Sequence, residues 1–271
     1  MRPESSSSIT VATLRDSLRA PFPTTLVDVR RRAAFERDPV RIPMALRREP
    51  ETVASWAAEL EPWRPVVVYC VHGHEVSQNA ATALRERGFD ARFLDGGVTQ
   101  WRDDGLAVED ARPPTQWVTR ARPKIDRIAC PWFVRRFIDA SAQIHYVAPS
   151  AVLDFAREHE AIPFDVPDVD YSHAGERCSF DAFVARHVPD DTSLRALADI
   201  VRAADTDTLN DSPQAHGLLA VSLGLGCGLT DDQALMKHGF LVYDALYAWC
   251  RESRGERHGW DANALRSQAR Q

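Results

Sequence analysis

Three short β-branched runs, "TTLVDVR" (24–30), "VVVYC" (66–70) and "ARFLDGG" (91–97), alternate with the helical segments "ETVASWAAEL" (51–60) and "SQNAATALRERG" (77–88). Strands that alternate with helices need crossover connections, and crossovers build parallel sheets. The first hundred residues are therefore expected to form an α/β unit, a parallel sheet flanked by helices. Gly88 after "LRER" suits a helix C-cap, with cations in the last turn as the helix dipole prefers. At "AVEDARPPTQ" (107–116) periodicity stops and charge and proline accumulate, which reads as an exposed linker at 109–116. Beyond it, "RIACPWFVRRFI" (127–138), "PSAVLDFAREHE" (149–160), "TSLRALADIVRAAD" (192–205), "SPQAHGLLAVSLGLG" (212–226) and "DDQALMKHGFLVYDALYAWCRE" (231–252) predict a second, mainly helical domain over 117–255. In the last of these, Leu235, Phe240, Leu241, Leu246 and Trp249 are expected to face the core.

A formal charge of −6 over 271 residues excludes polyanion binding by bulk electrostatics, so any basic site must be local. The five cysteines show no CxxC and no even-numbered framework, which fits a reducing cytosol. "MRPESSSSITV" has serines where a signal peptide needs an apolar stretch, and no run approaches the roughly 20 apolar residues that cross a bilayer. A soluble cytoplasmic protein with no membrane partner is expected.

"VVVYCVHGHEVS" (66–77) carries a strand directly into Cys70 and then into a loop of Val71, His72, Gly73, His74, Glu75 and Val76. A cysteine between a strand end and a helix start lies where backbone N–H groups converge, a setting that favours a thiolate and any anion attached to it. Taken in order, "LVDVR" (26–30), "FERDPVRIPMA" (35–45), this loop and "FLDGGVTQW" (93–101) resemble the rhodanese sulfurtransferase domain over about residues 10–108. The resemblance implies that Cys70 is the nucleophile and carries a persulfide between a sulfane-sulfur donor and a thiol or cyanide acceptor. It also implies that Asp28 and Arg30 buttress the loop, and that Gly96, Gly97 and Trp101 shape the last turn. Where such loops commonly place a cation five residues after the cysteine, this chain has Glu75, a carboxylate that repels thiosulfate. The related phosphatase and arsenate-reductase loops end on an arginine, and Val76 stands there. His72 and His74 are the local source of positive charge.

The segment 112–136 holds seven basic residues against one acid, Asp126, whereas 137–271 carries eleven basic and twenty-one acidic. Such concentration marks a local anion site, with Arg122, Lys124 and Arg127 as candidate ligands; a charged surface strand and helix explain it equally. "ARPKIDRIACPWFVRRFIDA" (121–140), "IPFDVPDVDYSHAGERCSFDAF" (162–183), "IVRAADTDTLNDSPQAHGLLAVSLGL" (200–225) and "HGFLVYDALYAWCR" (238–251) closely resemble the ChrB family of chromate-resistance proteins. That resemblance implies a link to chromate, a tetrahedral dianion suited to arginine forks and helix N-termini. His173, Glu176, Cys178, Asp181, Asp205 and His238 are candidate ligands for iron, manganese or zinc, though ordinary salt bridges would use the same residues. Cys130 precedes Pro131 at an expected helix start, where a thiolate would be favoured, but packing beside Trp132 and Phe133 accounts for it as well.

The expected function is a sulfurtransferase-type protein linked to chromate resistance, with a persulfide on Cys70 and a second domain that binds an oxyanion or a metal. The alternative is a non-catalytic chromate sensor that regulates an efflux operon. It would need a DNA-binding surface, and the sequence shows neither a helix-turn-helix nor a basic domain.

Overall fold

The computed structural model describes residues 7–20 and 22–255, and the chain divides into two units between Pro113 and Pro114. The first unit runs β1 (Ser8–Ile9), α1 (Val11–Leu18), β2 (Thr25–Asp28), α2 (Arg32–Arg37), β3 (Val40–Arg41), β4 (Leu46–Arg47), α3 (Val53–Ala57), β5 (Val66–Tyr69), α4 (Glu75–Arg85), β6 (Ala91–Leu94), α5 (Gly97–Asp103) and β7 (Glu109–Asp110). Five strands pair in the order β1-β6-β5-β2-β4, every pairing parallel, as the alternating pattern predicts. Central β5 is buried along its whole length. Its side chains alternate between faces. Val66 and Val68 join a core with Val53, Trp56 and Leu84, while Val67 and Tyr69 join one with Leu14, Leu26 and Trp101. A strand covered on both faces reads as an unbroken apolar run, which is why it stands out in the sequence.

The stretch expected to be a free linker at 109–116 is partly built into the first unit. Glu109–Asp110 pairs antiparallel with Val40–Arg41, and Arg41 Nε donates to the Glu109 carboxylate at 2.8 Å.

The second unit runs β8 (Gln116–Arg120), α6 (Asp126–Phe133), β9 (Gln143–Val147), α7 (Val152–Glu158), β10 (Ile162–Pro163), α8 (Ser179–His187), α9 (Thr192–Asp205), α10 (Pro213–Gly228) and α11 (Asp232–Ala248). Helices α6, α7, α9, α10 and α11 fall where they are expected, but α8 and a parallel sheet of order β10-β8-β9 are not anticipated by the sequence. Strands of five, five and two residues hold too few alternations to stand out among helical periods. On one face of β8, Val118 packs with Val152, Ala161 and Val166. On the other, Trp117 meets Phe164, Tyr171 and Phe183.

Helix α6 is buried nearly all round, and α11 lies so close that a Cβ on Gly239 would stand 2.6 Å from Ile128 Cγ2. Buried Asp244 on α11 accepts from Trp132 Nε1 at 2.8 Å and from Arg136 Nε at 2.9 Å. Leu235 and Phe240 of α11 reach the core as expected, but Leu241 is exposed. The helix turns it away from α6, so the apolar stripe is narrower than the sequence implies. Among the described residues no helix is long and apolar enough to cross a membrane.

Removing one partner of a buried ion pair strands the other charge, at a cost of about 3–5 kcal/mol. Asp244→Ala is therefore expected to lower stability by that order in urea denaturation, and an unchanged midpoint would contradict the role given to Asp244.

Candidate functional site

Cys70 follows β5 directly and is 6% exposed. Its Sγ lies 3.2 Å from Ser77 Oγ, a residue of the first turn of α4. Ser77 Oγ also lies 3.1 Å from His74 O, so its one proton can serve that carbonyl while its lone pairs accept from the Cys70 thiol, or turn to the sulfur once the thiol is ionised. The sequence reading missed Ser77. The signal was available, because a serine seven residues past a strand-ending cysteine, on the first turn of the next helix, can reach back to it.

The loop is shaped by two glycines. Gly73 and Gly97 both have positive φ, +71° and +59°. A Cβ on Gly97 would fall 2.4 Å from Cys70 O and 2.6 Å from Val71 O. Val98 N–H donates to Cys70 O at 3.0 Å and Thr99 N–H to Val71 O at 3.1 Å. Among the described residues the backbone N–H groups of Val71 to Val76 have no acceptor. A run of free amides before a helix N-terminus is a ready anion cradle. His72, His74 and Glu75 are exposed around it, with the two imidazoles 5.8 Å apart, and Val76 packs inward on the core.

Asp28 and Arg30 are fully buried and paired, with Arg30 Nε 3.0 Å from each Asp28 carboxylate oxygen. Arg30 also donates to the carbonyls of Asp38 and Val40 and makes no hydrogen bond to residues 70–76. The pair thus supports the 38–40 segment, and it adjoins the cysteine through Tyr69, which pairs with Asp28 across β2 and β5 and whose carbonyl accepts from Val29 N–H.

In the second unit, the six residues expected to share a metal do not converge. His173 and Asp205 come together, and the third member is Asp126: their donor atoms lie within 4.8 Å of one another. His173 Nε2 is 3.2 Å from Asp126, 3.3 Å from Asp165 and 3.4 Å from Asp205. Among the described residues, Glu176, Cys178, Asp181 and His238 do not belong to this group. Asp181 closes a capping box with Cys178 at the start of α8 and pairs with Arg202, while His238 bonds the Ala234 carbonyl on its own helix and Glu176 is exposed. Sequence proximity misled here because the partners of His173 come from three other segments.

Asp126 is placed by Ile125, whose φ of +46° is a true outlier for a β-branched residue. Tyr243 Oη holds that peptide by donating to Ile125 O at 2.6 Å. Burial, with the charge of Asp126, pushes the Asp205 carboxyl up to about 7. The hydrogen bond to Asp126 outweighs burial and lifts His173 above the usual histidine range. Asp165 is raised by burial and by Asp126, against the pull of Arg120 and Arg127, which both contact its Oδ2. Burial pushes the Cys130 and Cys178 thiols well up, so neither is a thiolate near neutral pH, and Cys130 lies inside α6 rather than at its start.

The proposed anion ligands also separate. Arg127 contacts Asp165 and the carbonyls of Arg120 and Ala121, so its guanidinium is already occupied. Arg122 and Lys124 are exposed, and the Arg122 N–H donates to Asp232.

Comparison with known proteins gives two family matches. A model of the rhodanese-like domain matches residues 10–104, and one of the ChrB C-terminal domain matches residues 117–250. A curated relative, protein ChrB of Cupriavidus metallidurans, is 30% identical over 173 residues, which cover 55% of this chain and 51% of the relative. The chain thus spans about half the length of that relative. A thiosulfate sulfurtransferase GlpE of Pseudomonas syringae pv. syringae is 40% identical over 78 residues, 28% of this chain and 71% of the relative. Among solved structures, a rhodanese-like domain protein from Staphylococcus aureus matches with a TM-score of 0.33 and 27% identity, covering 38% of this chain and 99% of that one.

The glycine geometry is directly testable. Gly97→Ala forces a Cβ into two carbonyls and is expected to cost about 2–4 kcal/mol in denaturant titration. Gly88→Ala, with open space at its Cβ, is expected to cost about 1 kcal/mol. Equal costs would mean that the close approach at Gly97 does not hold the loop.

Proposed function

The chain joins a rhodanese-like domain, residues 10–104, to a ChrB C-terminal domain, residues 117–250, and on that footing we propose a sulfurtransferase-type protein linked to chromate resistance, with Cys70 as the sulfur carrier. The Cys70 thiolate attacks the outer sulfur of a sulfane-sulfur donor such as thiosulfate. The donor's S–S bond breaks, sulfite leaves with the bonding pair, and Cys70 holds a persulfide. A thiolate or cyanide acceptor then takes the outer sulfur and returns the Cys70 thiolate.

One observation carries this reading: Cys70 sits at the head of a loop whose amides from Val71 to Val76 have no acceptor, with Ser77 Oγ 3.2 Å from its sulfur. Those groups suit a sulfur anion. Glu75 at the rim disfavours a dianionic donor, so the preferred donor carries less charge than thiosulfate. The second domain is the part that binds an oxyanion or a metal, which ties sulfur transfer to the chromate link implied by the ChrB resemblance.

Thiosulfate:cyanide transfer measured as thiocyanate release tests the assignment. Cys70→Ser should reduce turnover to background. Ser77→Ala should lower kcat/KM about tenfold, the order of one hydrogen bond to a charged group. Glu75→Arg should raise kcat/KM for thiosulfate about tenfold by attracting the dianion. Turnover retained in Cys70→Ser would remove Cys70 from the reaction.

A further inference from the structure

The second unit contains a cluster of titratable groups that sulfur transfer at Cys70 does not use. We propose that Asp126, His173 and Asp205 bind one divalent first-row cation. This gives a ligand and a site to the binding role assigned above to the ChrB C-terminal domain, and so rests on that part of the reading; it is independent of whether Cys70 transfers sulfur.

The geometry is the first support. Ligands held about 2.0–2.2 Å from one ion stand roughly 3–3.5 Å from each other. His173 Nε2 lies 3.2 Å from Asp126 Oδ2 and 3.4 Å from Asp205 Oδ2. The three residues arrive from separate segments, the first turn of α6, the loop before α8 and the last residue of α9. Salt bridges within a loop need no such convergence.

Asp165 completes the arrangement from outside. Its Oδ1 stands 3.3 Å from His173 Nε2 and accepts from Ser179 Oγ at 3.2 Å, while its Oδ2 contacts Arg120 at 2.6 Å and Arg127 at 3.2 Å. Because it faces Nε2 and not the other ring nitrogen, this carboxylate, held by two arginines and a serine, contributes negative charge beside the ion and does not orient the ring.

The second, independent observation is Cys130. It lies one turn beyond Asp126 on the same face of α6 and is completely buried, and its thiol makes no hydrogen bond among the described residues. Its charged surroundings are Asp126, Asp165 and Asp205, with the Cys178 thiol beside them. A buried polar side chain without a partner calls for an explanation, and an ion or its bound water supplies one. One imidazole and two carboxylates suit manganese, iron or zinc better than copper, and three protein donors leave positions open for water or an anion. His173 is 40% exposed, so those positions are reachable.

The test uses the full chain, stripped with chelator and then titrated separately with Mn²⁺, Fe²⁺ under anaerobic conditions, and Zn²⁺, with bound metal counted by elemental analysis. One ion per chain is expected. His173→Gln, whose partly exposed site spares the fold, and Asp205→Asn should each weaken binding at least tenfold. Glu176→Gln and His238→Gln should bind as the native chain does. Co²⁺ offers a second readout, since its visible absorption should change in His173→Gln through loss of a nitrogen ligand. The proposal is overturned if the native chain binds none of these ions stoichiometrically, or if His173→Gln binds with native affinity and an unchanged Co²⁺ spectrum. Cys70→Ser should bind metal normally. A native chain that binds the ion but transfers no sulfur would refute the Cys70 reading alone, and a native chain that transfers sulfur but binds no ion would refute the site alone.

Discussion

The Cys70 loop depends on one contact between backbones. Gly97 approaches the carbonyls of Cys70 and Val71 more closely than any Cβ would allow, and the N–H groups of Val98 and Thr99 donate to those carbonyls. In a trans peptide the C=O of one residue and the N–H of the next point in opposite directions. Fixing the carbonyls of residues 70 and 71 toward α5 therefore turns the amides of residues 71 and 72 the other way. Gly73, also at positive φ, carries the turn onward into α4. The outward-facing amides follow from where the carbonyls are held, and their placement needs no cation from the side chains. On the proposed reading, these amides are what would stabilise a sulfur anion in a loop that has Glu75 in place of a basic residue.

The second unit solves a different problem, that of keeping charge in a largely apolar interior. Asp126, Asp165 and Asp244 are each 3% exposed or less. Each is matched: Asp244 by Arg136 and Trp132, Asp165 by Arg120 and Arg127, and Asp126 by His173. A matched buried charge is tolerable, whereas a lone one is very costly. Positive φ at Ile125 and Asp165 marks the same region, where strain is kept by surrounding contacts such as the one from Tyr243. The arginines that give residues 112–136 their basic character are in part the counter-charges of this interior. That is why Arg127 does not stand open to an oxyanion.

Legibility in the sequence followed the range of the interactions. β5 was readable because burial on both faces favours three consecutive valines followed by an aromatic, Tyr69, and Cys70 was readable because it ends that run. The loop glycines were legible through the resemblance to a sulfurtransferase domain. Ser77 was not, since its role depends on a helix turning it back toward the sulfur. The sheet β10-β8-β9 was missed because short strands lie among long helices. Within the buried cluster, His173 and Asp205 are legible by residue type. Asp126 and Asp165 are not, because Asp126 sits in a basic segment and Asp165 comes 8 residues before His173, with no spacing that announces a shared site.

The central claim, that Cys70 carries sulfur on a loop of free amides, is tested most directly by intact mass of the native chain before and after incubation with thiosulfate and with a low-charge persulfide donor. The account predicts a gain of one sulfur atom that is absent in Cys70→Ser and lost on addition of cyanide. No gain from either donor, or a gain that persists in Cys70→Ser, would contradict it.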